Sequence, residues 1–316
     1  MRLVSFSYDG NQRIGAIAGN QIIDLNYACE EMLKARGQLR AALIAEAYVP
    51  ANMVEFLQGG EQSMAMAKEA VDFALLSEIG FTRKVKLPIA DVRLEAPVRN
   101  PAKIICVGHN YREHILEMGR ELPPYPVVFA KFANTIIGPQ DDIPFYPISD
   151  QLDYEAEFAF VIGKRARNVS QYNALSYVAG YTIANDVTYR DLQRRTIEWL
   201  QGKTVEGSAP MGPCLVTADE IANPAGLEVV LTVNGEERQR SNTNNLVFTV
   251  PYLVEFLSAI MTLEPGDIVL TGTPGGVGVA REPQVFLRDE DVVSIEIDLI
   301  GVLTNQVKRI GQGESR

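Results

Sequence analysis

The chain has 316 residues, of which 47% are hydrophobic and 22% charged, a composition typical of a folded globular protein rather than a disordered one. Its formal net charge is −11 at pH 7 and its basic residues are dispersed, so a nucleic-acid partner is not expected. The N-terminus lacks an apolar signal-peptide core, and no apolar run approaches the roughly 20 residues of a membrane helix. We therefore expect a cytoplasmic protein with no membrane partner.

The first 95 residues are predicted to form a small α/β domain. Residues 3–26 contain short strand-like runs divided by Asp-Gly and Gly-Asn, which are frequent turn sequences. Residues 28–77 have the apolar spacing and the helix-forming residues expected of consecutive helices. Residues 86–103 contain three prolines and are predicted to be an extended linker, so we place the domain boundary between residues 95 and 96.

Residues 96–316 are predicted to form a larger domain of the α+β class, dominated by a β-sheet. Short strand-like runs are separated by Gly, Pro, Asn and Asp, and no regular helix stands between them, which argues against a doubly wound fold. The best candidates for long helices are residues 187–200 and 250–262. The strand-like runs are IICVG, VVFAKF, EFAFVIG, YVAGYTIA, EVVLTVNG, DIVLTG and DVVSIEIDLIG.

The two histidines of the chain, His109 and His114, lie within one six-residue segment. The sequence IICVGHNYREHILEMG predicts a strand, a glycine turn and a short helix. On that helix His114 and Glu117 are i and i+3, so they share a face, and a carboxylate beside an imidazole makes a general base. The alternative is an ordinary His–Glu pair on an exposed helix. We interpret His109 as a structural or supporting residue.

Two glutamates are predicted to point into the same space. The segment from Asp153 to Gly163 alternates with a period of two, so Glu155 and Glu157 share a face with small apolar residues. Two carboxylates that lie so near each other repel one another unless a cation lies between them. The apolar neighbours indicate that this face is partly covered. The alternative is a solvent-facing strand end with two glutamates of no particular function.

A third carboxylate, Asp186, follows the predicted strand YVAGYTIA. An Asn-Asp pair in this position is also typical of a turn or of a helix N-cap. Three carboxylates without a nearby histidine are hard oxygen ligands, which suit Mg²⁺ or Mn²⁺ better than Zn²⁺ or Cu²⁺. The sequence therefore predicts a site for Mg²⁺ or Mn²⁺.

Two glycine-containing segments do not support a nucleotide cofactor. Gly202-Lys203-Thr204 is similar to the end of a phosphate-binding loop, but Ile197 stands where that motif requires glycine. The segment TGTPGGVGVA does not fit the dinucleotide-binding pattern, and the sequence has no G-x-S-x-G nucleophile elbow.

Seven segments occur in the order in which they occur in one known family. They are VGHNYREH, FAKFANTIIGP, LDYEAEFAFVIGK, YVAGYTIANDVTYRDLQ, GKTVEGSAPMGPCLVT, VNGE and LEPGDIVLTGTPGGVG. Over roughly residues 95–310 the chain resembles the fumarylacetoacetate hydrolase superfamily. The resemblance implies a β-roll-like α+β catalytic domain, a homodimer, and a divalent metal that a 2-oxo acid substrate chelates.

The resemblance also implies roles for individual residues. The residues similar to the family's metal ligands are Glu155, Glu157 and Asp186. His114 and Glu117 resemble a catalytic dyad on a lid helix that orders when substrate binds.

Further residues resemble positions that surround the substrate in this family. Lys203 resembles the charged residue beside the substrate oxyanion. Arg190 and Gln193 resemble supporting or substrate-binding residues, and Thr273 resembles a contact of the substrate carboxylate. One departure is Val205-Glu206-Gly207, which stands where many members have Phe-Asp-Thr. It leaves the identity of the substrate open.

The function implied is metal-dependent hydrolysis of a C–C bond in an acylpyruvate of the fumarylpyruvate or maleylpyruvate class, releasing pyruvate in aromatic catabolism. The dyad favours hydrolysis because that reaction needs an activated water. The alternatives are an oxaloacetate decarboxylase and an isomerase of the 2-hydroxyhepta-2,4-diene-1,7-dioate type. A 2-oxo acid binding protein without turnover is the alternative outside enzymes.

Overall fold

The computed structural model of the chain describes residues 1–77, 80–117, 119 and 121–311. The N-terminal part is a three-stranded meander followed by four helices and two short strands. Its strands are β1 (Arg2–Tyr8), β2 (Asn11–Ala18), β3 (Gln21–Asp24), β4 (Lys86–Pro88) and β5 (Arg93–Glu95). Its helices are α1 (Leu25–Ala35), α2 (Ala41–Tyr48), α3 (Met53–Gln58) and α4 (Gly60–Leu76).

Turn and capping residues explain where these first elements begin. Asp9 and Gly10 both have positive φ, 48° and 73°, as the tight turn between β1 and β2 requires. Asp24 ends β3 and caps α1, because its carboxylate accepts a hydrogen bond from Tyr27 N at 2.9 Å. The strand–turn–helix pattern predicted for residues 3–77 is therefore the one observed.

The remaining residues form short strands with few long helices. The strands are β6 (Ile104–Gly108), β7 (Val127–Lys131), β8 (Ile136–Ile137), β9 (Ile143–Phe145), β10 (Leu152–Asp153), β11 (Ala156–Ile162), β12 (Val178–Asn185), β13 (Thr188–Tyr189), β14 (Ala209–Thr217), β15 (Glu228–Val233), β16 (Glu236–Asn242), β17 (Ile268–Leu270), β18 (Val292–Ile297) and β19 (Gly301–Arg309). The helices are α5 (Arg112–Glu117), α6 (Arg190–Gln193), α7 (Leu200–Lys203) and α8 (Val250–Ile260).

Most strands belong to one of two sheets. The larger has twelve strands in the order β4-β3-β2-β1-β14-β12-β11-β17-β6-β7, with β5 beside β1 and β8 beside β14. The second has five strands in the order β16-β15-β18-β19-β9, and β10 pairs with β13 alone. Most pairs are antiparallel, which confirms the α+β class.

The predicted domain boundary falls inside the larger sheet. Strand β1 pairs with β14 in the register Leu3↔Leu215, so the N-terminal residues extend the sheet that carries the site. The segment predicted as a linker is extended, but β4 pairs with β3 and β5 pairs with β1. The division into residues 1–95 and 96–316 stays a prediction.

One of the two predicted long helices is wrong. Residues 187–200 form strand β13, the single turn α6 and a series of bends, because β13 pairs with β10 and Arg190 turns inward to buried carboxylates. The other prediction is confirmed by α8, which has Thr249 at its N-cap and Pro251 in its first turn. No helix among the described residues is long and apolar enough to cross a bilayer.

Candidate active site

Strand β11 carries the predicted alternation of faces. Phe158 and Phe160 belong to one hydrophobic core, whereas Ala159 and Val161 belong to the other. Glu157 lies at the beginning of this strand on the face of Ala159, and Glu155 directly precedes the strand. Both glutamates are buried, at 2% and 6% exposure, so the alternative of a solvent-facing strand end is wrong.

Antiparallel pairing brings the third carboxylate to the first two. Ala156 lies opposite Asn185, so the beginning of β11 adjoins the end of β12. Asp186 N donates to Glu155 O at 2.9 Å, and Glu155 N donates to the Asn185 side chain at 3.0 Å. The side chains of Glu155, Glu157 and Asp186 each offer one oxygen, and these oxygens lie within 4.8 Å of one another. The cluster is buried and could hold a metal ion.

Three buried cations surround the acidic cluster. Lys203 Nζ lies 2.8 Å from Glu155 Oε2 and 2.7 Å from Asp186 Oδ2. Lys131 Nζ lies 2.9 Å from Asp186 Oδ1 without hydrogen-bond geometry, so that buried oxygen has no hydrogen-bond partner among the described residues. Arg190 Nη1 lies 2.6 Å from Glu155 Oε1. The ammonium and guanidinium groups offset much of the carboxylate charge in a site from which water is largely excluded.

The two glutamates differ in their electrostatic environment. Burial acts to raise the pKa of Glu155, but the charges of Lys203 and Arg190 outweigh it and lower that pKa to about 2. Burial raises the pKa of Glu157 well above its usual value, and the like charges of Asp186 and Glu155 raise it further. The site therefore favours a cation placed beside Glu157.

Arg190 is fixed by a second acidic residue that the sequence analysis did not single out. Its Nε donates to Asp153 Oδ2 at 2.7 Å, and Asp153 also accepts the backbone N–H groups of Gly278 and Val279 at 2.8 and 3.0 Å. Asp153 continues the period-two spacing of Glu155 and Glu157, so the same alternation could have indicated that Asp153 belongs to the site. Lys131 was also missed, because nothing in the run FAKFAN distinguishes a buried lysine from an exposed one.

The predicted dyad is present on helix α5. His114 Nδ1 lies 3.4 Å from Glu117 Oε2, and His114 is buried with 8% exposure, so the alternative of a pair on an exposed helix is wrong. The His114 interaction lowers the pKa of Glu117, and the Gly276 N–H adds to this against the effect of burial. Gly276 has φ of 97°, and a Cβ there would lie 2.1 Å from Arg238 O, so only glycine fits. Met118 and Arg120 of the predicted lid lie outside the described residues.

The dyad and the acidic cluster meet at a cavity of about 90 Å³. Its lining includes His109, which lies edge-on to Trp199 with a centroid separation of 5.4 Å. Of the nine predicted site residues, Asp186 and Glu117 do not line the cavity but contact its lining residues Lys203 and His114. The other seven line the cavity directly: His114, Glu155, Glu157, Arg190, Gln193, Lys203 and Thr273.

The predicted substrate contacts are held by neighbouring side chains. Thr273 Oγ1 accepts from Gln239 Nε2 at 2.8 Å, and Gln193 Oε1 accepts from Arg190 Nη1 at 3.1 Å. Their role in binding substrate stays a prediction. The departure at 205–207 lies outside the cavity, because Glu206 is exposed and accepts from Asn134 Nδ2 at 3.0 Å.

The donor set fits the divalent metal that the sequence predicts. All three side chains of the cluster are carboxylates, and they are buried and close together. Among the described residues, Asp186 Oδ1 accepts no hydrogen bond and has only the ammonium of Lys131 beside it, at 2.9 Å. Hard oxygen ligands of this kind suit Mg²⁺ and Mn²⁺.

Residues 103–308 match the family model described as fumarylacetoacetate (FAA) hydrolase C-terminal. A mitochondrial oxaloacetate tautomerase of Bos taurus is 41% identical, over 97% of this chain and 91% of the relative. A fumarylacetoacetate hydrolase from Exiguobacterium antarcticum is 36% identical with a TM-score of 0.78, over 98% and 100% of the chains. Maleylpyruvate hydrolase from Sphingobium, in complex with manganese(II) and pyruvate, is 29% identical with a TM-score of 0.74, over the same shares.

These comparisons change two of the expectations. The expectation of a cytoplasmic location is contradicted by several relatives, whose names describe them as mitochondrial. The names also favour the alternatives to acylpyruvate hydrolysis, since several of the relatives are named oxaloacetate tautomerases. Hydrolysis, a role in aromatic catabolism and the homodimer stay predictions.

Proposed function

Because the chain belongs to the fumarylacetoacetate hydrolase family, we propose that it is a divalent-metal-dependent enzyme acting on a small 2-oxo dicarboxylic acid. The reaction we propose is interconversion of the enol and keto forms of oxaloacetate. The observation that carries the proposal is the buried carboxylate cluster facing His114 across one small cavity. The tautomerase names of the relatives support it.

The charge balance of the site suits an anionic ligand. When Glu157 is ionised, four buried carboxylates face three buried cations, so the fixed charges leave one negative charge in excess. A bound divalent cation reverses that excess to one positive charge, which one substrate carboxylate neutralises. The carboxylates are Asp153, Glu155, Glu157 and Asp186, and the cations are Lys131, Arg190 and Lys203.

The metal would be held by the cluster Glu155, Glu157 and Asp186. When bound there, a divalent cation supplies a Lewis acid that polarises the 2-oxo group and stabilises negative charge on its oxygen. Lys203 holds Glu155 and Asp186 at 2.8 and 2.7 Å and adds a fixed positive charge beside that oxygen. The cluster and its cations orient the acid and exclude water.

His114 is the residue that transfers the proton. In tautomerisation the enol oxygen loses a proton and C3 gains one, so one group must take up a proton and return it. Glu117 contacts Nδ1 of the ring, which leaves Nε2 to exchange the proton with the substrate. Glu117 is in turn held by Gly276 N at 3.1 Å, so the pair keeps its position over the cavity.

The size of the cavity favours a short substrate. Its volume of about 90 Å³ is well below the roughly 300–1,000 Å³ typical of sites for drug-sized ligands. Oxaloacetate, with four carbons, suits such a cavity better than the longer acylpyruvates do.

The test is to dissolve crystalline enol-oxaloacetic acid and to follow the loss of the enol absorbance with Mg²⁺, with Mn²⁺ and with EDTA. Pyruvate release from oxaloacetate and from acylpyruvates is measured on the same samples. Faster, chelator-sensitive loss of the enol without pyruvate release supports the proposal. Pyruvate release from oxaloacetate would identify a decarboxylase instead, and oxalate binding without turnover of any of these acids would identify a binding protein.

Hydrolysis of an acylpyruvate is the second candidate function, and the His114–Glu117 pair favours it. The same imidazole can deprotonate a water molecule as well as a substrate. The maleylpyruvate hydrolase from Sphingobium shares the fold over 98% of this chain, which agrees with this candidate. Chelator-sensitive pyruvate release from maleylpyruvate or fumarylpyruvate, with no effect on the enol of oxaloacetate, would establish hydrolysis and overturn the tautomerase proposal.

A further inference from the structure

Three arginine and lysine side chains line the cavity among the described residues, and two of them are held by carboxylates of the protein. Arg190 contacts Asp153 and Glu155 at 2.7 and 2.6 Å. Lys203 is equally engaged by the acidic cluster. Arg194 is exposed and forms no ion pair with any described carboxylate. It is therefore the cavity cation whose charge is left for a ligand.

Arg194 is placed by the same helical turn that places Arg190. Arg194 N donates to Arg190 O at 3.1 Å and closes α6, so the two arginines are i and i+4 on one face. Four residues of helix rise about 6 Å, so the backbone of Arg194 lies one helical turn beyond that of Arg190. Arg190 is 4% exposed beneath Glu155, whereas Arg194 reaches the mouth of the cavity.

We infer that Arg194 binds the carboxylate of the substrate that is distal to the metal, and so selects 2-oxo dicarboxylic acids over monocarboxylic ones. The inference rests on the ligand class of the proposed function and adds a residue that the sequence analysis did not single out. The cavity then has two positively charged ends, the metal cluster inside and Arg194 at the mouth. A planar guanidinium binds a carboxylate through two hydrogen bonds, which an amide cannot reproduce in the same way.

The test compares three ligands by calorimetry in the presence of saturating Mg²⁺, so it does not depend on turnover. Malate offers a 2-hydroxy acid and a distal carboxylate, its 4-amide lacks only the distal charge, and oxalate reaches only the metal end. Each is titrated into the wild type, into Arg194→Gln and into Arg195→Gln. Arg195 is the matched control, because it is adjacent, also exposed, and does not line the cavity.

We expect the wild type to prefer malate over its 4-amide. Arg194→Gln should weaken malate binding about tenfold, the scale of one hydrogen-bonded charge at a partly exposed site, and should change oxalate and 4-amide binding less than about twofold. Arg195→Gln should leave all three affinities within about twofold of the wild type.

Three results would overturn the inference: no wild-type preference for malate over the 4-amide, equal losses for both ligands in Arg194→Gln, or the same loss in Arg195→Gln. Failure of the proposed function is seen separately, as wild-type protein that does not accelerate loss of the enol. A malate preference that depends on Arg194 in such a protein would support the inference and reject the tautomerase.

Discussion

Lys203 donates a hydrogen bond to Glu155 at 2.8 Å, and both side chains are buried, at 1% and 6% exposure. The same ammonium reaches Asp186 at 2.7 Å, so a single lysine links the two strands that supply the acidic cluster. A buried ion pair offers little net stability, but removing one partner leaves the other charge buried and uncompensated. Because Lys203 and a bound metal ion would neutralise the same carboxylates, we expect the stability of the fold to depend on whether a metal ion is bound.

Replacing Lys203 by methionine should destabilise the protein and increase its dependence on divalent cations. Loss of one member of a buried pair costs roughly 3–5 kcal/mol, which lowers Tm by about 10 °C in a chain of this size. A bound divalent cation compensates the charges of Glu155 and Asp186 that this substitution leaves buried without Lys203, so Mg²⁺ should raise Tm more in Lys203→Met than in the wild type.

Scanning calorimetry in EDTA and in Mg²⁺ measures both effects. Lys164→Met is the control, because Lys164 pairs with exposed Glu61 at 2.7 Å and its loss should change the free energy of unfolding by less than about 1 kcal/mol. An unchanged Tm of Lys203→Met in EDTA would contradict the role given to Lys203.

The two glutamates of the cluster should respond oppositely to replacement by glutamine. Glu155 has a pKa of about 2 against a usual 4.5, so its ionic stabilisation is fully present above pH 4.5 and is lost as pH falls toward 2. Glu155→Gln should therefore lower stability at neutral pH by roughly 3 kcal/mol and have little effect near pH 2.

Glu157 has a raised pKa, so its contribution is favourable below pH 4.5 and is lost as pH rises through the folded-state pKa. Glu157→Gln in EDTA should raise Tm at pH 8 and change it little at pH 4. Thermal unfolding from pH 2 to pH 8 measures the difference between the two variants. Equal destabilisation by both at pH 8 would show that Glu157 is not repelled by its neighbours.

Replacing Asp186 by asparagine should remove most of the affinity for Mn²⁺ while the chain stays folded. An amide keeps the shape of the side chain but contributes no charge. Replacing even a residue that only hydrogen-bonds to a metal ligand lowers metal affinity by about 10–100-fold. We expect a loss of at least about 100-fold, measured by calorimetry or by the paramagnetic signal of free Mn²⁺. Asp219→Asn is the control, because Asp219 is exposed and pairs with Lys68 at 2.7 Å. Wild-type Mn²⁺ affinity in Asp186→Asn would exclude the carboxylate cluster as the metal site.

Local patterns predicted those parts of the site that lie along one strand or one helical turn. The alternation through Glu155 and Glu157 follows from the pleat of β11, and the pairing of His114 with Glu117 follows from helical spacing. The cations could not be derived in this way, because Lys131 and Lys203 reach Asp186 through contacts between segments far apart in the chain.

The helix predicted for residues 187–200 failed for a related reason. Thr188 and Tyr189 pair with β10, and Arg190 turns to the buried carboxylates, so tertiary contacts outweighed the local helix propensity. Arg194 was missed because the sequence does not show that carboxylates far from it in the chain pair with Arg190, four residues earlier. Only that pairing leaves Arg194 as the cation available to a ligand.

Replacing His114 by glutamine should slow turnover without weakening metal binding. Glutamine keeps a polar side chain of similar length but cannot carry a proton, and a positioned acid–base group contributes about 10²–10⁴-fold. We expect kcat for loss of the enol to fall by that factor while KM and Mn²⁺ affinity stay near their wild-type values.

Glu117→Gln is the informative companion, since glutamine can still accept from Gly276 N but leaves the imidazole without its carboxylate. Its kcat should lie between those of the wild type and His114→Gln, because the ring keeps its place and loses only the charge beside it. Stopped-flow measurement of enol loss, with Mn²⁺ titrations on the same samples, separates proton transfer from ligand binding. A His114→Gln protein with wild-type kcat would assign the proton transfer to another residue of the cavity, and Lys203 would then be the next to test.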